Sequence, residues 1–303
     1  MNGEILPESQ ASISFRDTGF VYGDAVFDTA RTFGGRIFRL KEHVDRLYDT
    51  LAYVRIDPGL DKEEMIQTTE RIVEMNRHLL GPDDDYWVSQ RISRGEIVVD
   101  REEPARIGAT VLIECTPLPL KARAPMYRDG IDAVISSLRR TPPSALSPNA
   151  KVNNYMNMML AQREVGSLAP GSWAVLLDEN GDICEGAGCN VFTVKGGVVT
   201  TPPTEYILAG ITRGVVLELC RENGIPVEER AVSLHQAWIA DEVFFSSSAL
   251  CICPVRSLNG QAYGAVPGPL TGRLMGLFKD MVGTDFVAQY LKHAGDTDAN
   301  ASF

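Results

Sequence analysis

The apolar positions change period along the chain, and each change marks an element. SISF (12–15) leads into GFVYGDAVFDTARTF (19–33), a run rich enough in aromatic and β-branched residues to be read as strand. After the Gly34–Gly35 turn the period lengthens. Leu40, Val44, Leu47 and Leu51 then fall on one helical face. A second helix is predicted over 61–81, opened by acidic residues and stopped by Gly81-Pro82. Residues 85–93 and 108–118 return to strand-like patterning. The stretch around 121–130 is poor in apolar residues and punctuated by Pro117, Pro119 and Pro125, as in a linker. It suggests a small N-terminal α/β domain over 1–120, a linker over 121–130, a larger domain over 131–292 and a frayed tail over 293–303.

The larger domain opens with a strand at 131–138 and a Pro-rich turn, and a Met-rich helix follows Lys151. Two hairpins are expected, turning on Asn180-Gly181 and on Gly196-Gly197. A helix over 210–227 has Thr212 as its predicted N-cap and Gly224 just past its end. Residues 241–258 read as strand, small-residue turn and strand, and 268–282 as a final amphipathic helix. The order is mixed α/β, too irregular for a repeating parallel βαβ sheet.

Composition narrows the function. The 303 residues include 44% hydrophobic and 23% charged residues, and the net charge of −11 disfavours nucleic acid and anionic membrane as partners. No apolar run approaches the roughly 18 residues of a membrane span, and residues 1–10 lack the pattern of a signal peptide. The six cysteines form no CxxC pair and the four histidines are scattered, so neither a metal site nor a disulfide framework is expected. These features fit a reducing cytoplasm.

Lysine is scarce here, and Lys151 sits in SPNAKVNNYMNMML, at the mouth of a Pro/Asn-rich turn. Its amine can form a Schiff base, which a guanidinium cannot. If a helix starts at this lysine, Tyr155 lies one turn on and on the same face. Glu185 lies between a strand and the glycines of EGAG. LAGITRGVV offers backbone amides and the Thr212 hydroxyl at a helix N-terminus, a geometry suited to phosphate. SSSAL, with Ser247 and Ser248, is a second turn rich in amides and hydroxyls, and Arg46 lies within the first helix. Each alone is compatible with an ordinary surface or capping role. As a set they are what pyridoxal phosphate requires: a lysine for the Schiff base, a carboxylate for the pyridinium nitrogen, and a phosphate cradle.

The segments DTGFVYGDAVFDTAR, FRLKEHVDRLYDTL, AKVNNYMNMMLA, EGAGCNVF, LAGITRGVV and ADEVFFSSSAL, in that order, resemble the class IV, fold-type IV pyridoxal-phosphate aminotransferases. That group includes branched-chain aminotransferases, D-amino-acid transaminases, (R)-selective amine transaminases and 4-amino-4-deoxychorismate lyase. The resemblance implies that Lys151 is the Schiff-base lysine and proton carrier, that Glu185 meets the pyridine nitrogen, and that Tyr155 meets the O3′ oxygen. It implies a phosphate cradle of Arg46, Ile211, Thr212, Ser247 and Ser248. Tyr22, Phe27, Thr29, Tyr86, Val88 and Ala249 fall at pocket positions. Branched-chain enzymes commonly have glycine where Thr29 stands, and an arginine for side-chain carboxylates where a YxR pattern would place Val88. The Arg-x-His pair of D-amino-acid transaminases is missing after SRG (93–95). The implied fold is a small α/β domain beside a larger pseudo-barrel, assembled as a homodimer. The implied reaction passes an amino group from an apolar amino acid or amine to a 2-oxo acid through the pyridoxamine form of the cofactor. The alternative reaction is that of the lyase.

Overall fold

The structure is a computed structural model that describes residues 1–99, 104–106 and 108–293. The expected tail, His293 apart, lies outside the described residues. The chain divides into two compact units, Met1–Leu118 with Ala150–Tyr155, and Pro119–Asn149 with Met156–Phe303.

In the first unit the strand-like run is interrupted. Thr18–Tyr22 form a short helix, α1, because the Asp17 carboxylate accepts the Gly19 N–H at 2.8 Å and Gly23 ends the turn at φ +71°. Capping chemistry overrides strand propensity for these five residues, and strand β1 (Ala25–Phe33) begins only afterwards. β2 (Arg36–Ile37) returns from it across Gly34-Gly35. Helix α2 (Leu40–Val54) follows, then α3 (Lys62–Asn76), which starts in a capping box between Asp61 and Glu64. α3 stops short of Gly81, giving way to a 3-10 turn at Arg77–Leu79. Strand β3 (Tyr86–Ser93), a small pair of β4 (Ile97–Val99) and β5 (Pro104–Arg106), and β6 (Thr110–Pro117) complete the unit. The main sheet has the order β2-β1-β3-β6 and is antiparallel throughout.

Alternation along β1 and β3 gives this sheet two unlike faces. Val26, Ala30, Val88 and Ile92 are fully withdrawn from water, as are Val44, Leu47 and Met65 of the two helices. Each large side chain so buried contributes about 1.5–3 kcal/mol. On this face Gln90 Nε2 donates to Thr69 of α3, and Tyr86 and Val88 cluster with Val73 of α3. The other face carries Phe27, Thr29, Ser89 and Arg91, paired Phe27 to Arg91 and Thr29 to Ser89. It is the less covered side, with Phe27 and Thr29 half-buried and Arg91 exposed.

The second unit opens on helix α4 (Leu120–Asp129), formed by the residues expected to be a linker. Leu120, Ala124 and Tyr127 recur at helical spacing and are buried, which sustains the helix in spite of Pro125. β7 (Ile131–Arg139), α5 (Met156–Leu168), β8 (Trp173–Leu177) and β9 (Ile183–Gly186) follow. β10 (Cys189–Lys195) and β11 (Val198–Thr201) form the second hairpin, where Gly196 and Gly197 both take the positive φ of a type I′ turn. Next come α6 (Ile211–Glu222), β12 (Val227–Glu229), α7 (Leu234–Trp238), β13 (Glu242–Ser247) and β14 (Cys251–Leu258). β15 (Gln261–Ala262), α8 (Pro269–Val282) and α9 (Phe286–Leu291) end the unit.

The sheet order is β12-β11-β10-β13-β14-β7-β8-β9, with β15 on β14. β9 pairs back onto β10 through Gly186 with Cys189 and Glu185 with Asn190, closing the strands into the barrel the resemblance implies. Both faces of the closing strands are buried, so β8 to β10 read as near-continuous apolar runs. Glu185 therefore lies at the seam.

Candidate active site

Lys151 lies before a helix, not within one: α5 begins only at Met156. Residues 151–153 instead pair with the free edge of β1. Val152 bridges Val26, Phe27 N–H donates to the Lys151 carbonyl at 3.0 Å, and Asn153 N–H donates to the Ala25 carbonyl at 2.8 Å. The Lys151 N–H donates to Thr50 Oγ1 of α2, whose hydroxyl in turn donates to the Arg46 carbonyl. Pairing Val152 with Val26 puts Lys151 beside Phe27 on the less covered face. Its Nζ lies 4.3 Å from the centre of the Phe27 ring and 3.3 Å from Tyr155 Oη. Tyr155 packs edge-on against Phe27 at 5.3 Å. The phenol beside the amine is thus brought there by strand pairing and a turn, not by helical spacing.

Arg46 reaches the opposite face of β1. Its Nε and Nη2 each donate to Asp28 at 2.8 Å, and His43 Nδ1 lies 2.7 Å from the same carboxylate. Burial raises the Asp28 pKa, but Arg46 and His43 more than offset it and hold the carboxyl well below the usual range. Burial lowers the His43 pKa, Asp28 opposes that in part, and Arg46 and Lys151 add to it. The imidazole is therefore neutral at neutral pH. Asp28 was not singled out in the sequence. The signal was a lone carboxylate in phase with Val26 and Ala30 on an apolar strand, a position that demands a cation.

The second unit holds the carboxylate. Glu185 is 5% exposed and accepts from Arg140 Nε at 2.6 Å and from the Leu208 N–H at 3.2 Å. Arg140, just past the end of β7, was also missed: within RRTPP nothing separates it from Arg139 except the side of the chain it faces. The loop before α6 is pinned from several sides. Asn149 accepts the Ala209 N–H and donates to the Thr204 carbonyl, and Asn190 donates to the Leu208 carbonyl. Thr212 is not the N-cap of α6; Gly210 is, with no side chain closing the turn. A Cβ at Gly210 would fall 2.1 Å from Asn190 Oδ1, so glycine is required. By contrast, the Glu242 carboxylate takes up the Leu270 and Thr271 amides at the start of α8. The turn at Ser247, Ser248 and Ala249 is half-buried, and Tyr127 and Tyr290, stacked at 4.3 Å, donate to the Leu250 and Ala249 carbonyls from behind.

These donor sets fit pyridoxal phosphate. An amine is held by a phenol in the first unit. In the second, a buried carboxylate is paired with an arginine, and a helix start is left without a capping side chain. Of the expected pocket residues, Phe27 and Thr29 share the face on which Lys151 lies, and Tyr22 is 68% exposed. Tyr86 and Val88 do not share that face. They are 2% and 0% exposed, in the core with Val73, Leu80 and Cys115, and Tyr86 Oη donates to the Asn76 carbonyl. A strand shows one face every second residue, so the residues on the lysine side are Trp87, Ser89 and Arg91. Among the described residues no cluster of three His, Cys, Asp or Glu could hold a metal, and no helix is long and apolar enough to cross a membrane.

Comparison with known proteins agrees with this chemistry. The family described as amino-transferase class IV matches residues 25–258. A Methanocaldococcus jannaschii protein provisionally named a branched-chain-amino-acid aminotransferase is 37% identical over 285 residues, covering 93% of this chain and 95% of that one. The D-alanine aminotransferase of Bacillus licheniformis is 30% identical over 272 residues, covering 89% and 92%. The crystal structure of the Escherichia coli branched-chain amino acid aminotransferase superposes with a TM-score of 0.84 at 31% identity, over 98% of this chain and 95% of that one.

Proposed function

The chain belongs to the class IV aminotransferases, which use pyridoxal phosphate, and from that premise we propose that it moves amino groups between apolar amino acids or amines and 2-oxo acids. The reading includes D-amino acids or (R)-amines beside branched-chain substrates. The observation that carries it is the setting of Lys151: an amine within hydrogen-bond distance of Tyr155, on an apolar ring, on the sheet face that Thr29 and Ser89 share. Relatives named for branched-chain and for D-alanine substrates both support that breadth.

On this reading Lys151 holds the cofactor and moves the proton to and from the substrate α-carbon. When bound, the cofactor supplies the electron sink for that carbon. Glu185, held by Arg140, would accept the pyridine N–H. Tyr155 would donate to the ring oxygen and orient the Lys151 amine. The amides of Ile211 and Thr212, the hydroxyls of Ser247 and Ser248, and Arg46 would hold the phosphate. Asp28 fixes the Arg46 guanidinium from behind. Phe27 would exclude water from the reacting amine. The reading includes a homodimer in a reducing compartment: no disulfide forms among the described residues, and Phe15, Phe20 and Tyr22 are exposed in a number that favours a covering partner.

The test is the visible absorbance of the cofactor-loaded protein, followed as single donors are added without acceptor. Conversion to the pyridoxamine form by L-leucine, and by D-alanine or (R)-1-phenylethylamine, is expected. A response to L-leucine alone removes the wider substrate range. Lys151→Ala should abolish both the lysine-linked band and turnover; normal rates in that variant would overturn the assignment.

A further inference from the structure

The Lys151 backbone is held from two sides, and the two holds differ in kind. Against β1 the contacts are backbone to backbone: the Lys151 carbonyl takes the Phe27 N–H at 3.0 Å, and the Asn153 N–H donates to the Ala25 carbonyl at 2.8 Å. Such bonds form with almost any side chains. Against α2 the Lys151 N–H donates to Thr50 Oγ1 at 3.2 Å, a bond that needs a hydroxyl at residue 50. Thr50 is 2% exposed, between Leu47 and Leu51 on the buried side of α2. Its hydroxyl hydrogen goes to the Arg46 carbonyl one turn back, at 2.9 Å, the back-bonding open to threonine inside a helix. The oxygen lone pairs are then left for the Lys151 N–H, so one hydroxyl joins both residues.

Helical spacing makes this more than a local bond. His43, Arg46 and Thr50 recur at i, i+3 and i+7 on one face of α2. His43 and Arg46 hold Asp28 of β1, and Thr50 holds the lysine segment laid along the edge of β1. Arg46 is thereby fixed at both ends, its guanidinium by Asp28 and its carbonyl by Thr50. A lysine stem is flexible, so the reach of its amine is set by where the backbone is anchored.

We propose that Thr50 is a positioning residue for the reaction: its hydroxyl sets the Lys151 backbone against the carbonyl of Arg46, and so fixes the reach of the reacting amine relative to the arginine of the phosphate cradle. The inference rests on the transamination reading above. In that reading the amine both holds the cofactor and carries the proton, and its stem swings between the two tasks from one fixed root. Loss of the hydroxyl leaves the Lys151 N–H without its acceptor and frees that root from α2. A displacement of about 1 Å at a reacting group is enough to cost about 100-fold in rate. Thr50 touches none of the reacting atoms and acts through the lysine.

The test pairs Thr50→Val, which keeps the branched shape and removes the hydroxyl, with Thr50→Ser, which keeps the hydroxyl. Loaded with pyridoxal phosphate and given L-leucine, Thr50→Val should lose about 10- to 100-fold in kcat per bound cofactor, with KM within about 3-fold of the parent, as for a misplaced reacting group. The lysine-linked band should also form about 10-fold more slowly when pyridoxal phosphate is mixed with the unloaded variant. Thr50→Ser should recover most of both losses. Hydrogen exchange adds a readout independent of turnover: the Lys151 amide should be protected in the parent and exchange about 10-fold faster in Thr50→Val. A Thr50→Val protein that melts earlier yet reacts at the parent rate per bound cofactor has lost only a structural bond, and overturns the proposal. An unprotected Lys151 amide in the parent overturns it too, whether or not the variant folds. If no donor converts the cofactor of the parent, the transamination reading fails, while band formation and amide exchange, which need no donor, still decide the role of Thr50.

Discussion

Replacing Arg140 by leucine should separate two roles of one ion pair. The Glu185 carboxylate is almost wholly buried and Arg140 only 12% exposed, with 2.6 Å between them. Removing the cation leaves a buried anion with the Leu208 N–H as its remaining partner. Breaking a buried pair in this way costs about 3–5 kcal/mol, and the partial exposure of Arg140 favours the lower end. At about 2–4 °C per kcal/mol for a unit of this size, a loss near 3 kcal/mol lowers the thermal midpoint by about 6–12 °C. Replacing both partners, Arg140→Leu with Glu185→Gln, removes the stranded charge and should recover most of the loss. Calorimetry of the parent, both single variants and the double variant closes the cycle. A coupling energy of about 2 kcal/mol or more is expected. Strict additivity, or a single-variant loss under about 1 kcal/mol, would refute the claim that Arg140 offsets the burial of the Glu185 carboxylate. Glu185→Gln should also slow proton removal from the donor, because it removes the negative charge offered to a pyridine N–H.

Two further outcomes follow from the same geometry. Gly210→Ala pushes a methyl group into Asn190 Oδ1 and should cost about 1–3 kcal/mol while weakening cofactor retention; an unchanged dissociation constant in a pyridoxal phosphate titration would exclude the start of α6 from the phosphate site. The His43 pKa lies below its ordinary 6.5 and that of Asp28 below 3.8, so the folded state binds fewer protons than the unfolded one. The stability each group contributes is complete above its ordinary value and is lost as pH falls below it. The urea midpoint should therefore drop below pH 6.5, less so in His43→Gln, and a parent midpoint that stays flat down to pH 5 would contradict this.

What was legible in the sequence was local. The Leu40–Leu51 face made α2, and the Asn180-Gly181 and Gly196-Gly197 turns made hairpins, because each is decided by residues a few positions apart. α1 was not legible, since one aspartate and one glycine outweigh five residues of strand propensity. α4 was hidden by its prolines although Leu120, Ala124 and Tyr127 already had helical spacing. Motif order brought out Lys151, Glu185 and the Gly210–Thr212 turn. It could not fix the phase of β3, on which Tyr86 and Val88 face the core while Trp87 and Ser89 share the face of Phe27. Asp28 and Arg140 become meaningful only through partners 18 and 45 positions away.

The pairing of Lys151 with β1 also sets an order of events during synthesis. Residues 25–27 have no neighbour on one edge until 151–153 have been made, well after the sheet strands β3 and β6 and after β7 of the other unit. A nascent chain ending at residue 118 thus carries an open strand edge at the place where the reactive amine will sit, the kind of edge that invites pairing with another chain. Long-range closure of this sort is slow, because the intervening loop must be ordered before the contact rewards it. The amine can reach its ring only once residue 151 has been made, so no shorter nascent chain carries that pairing.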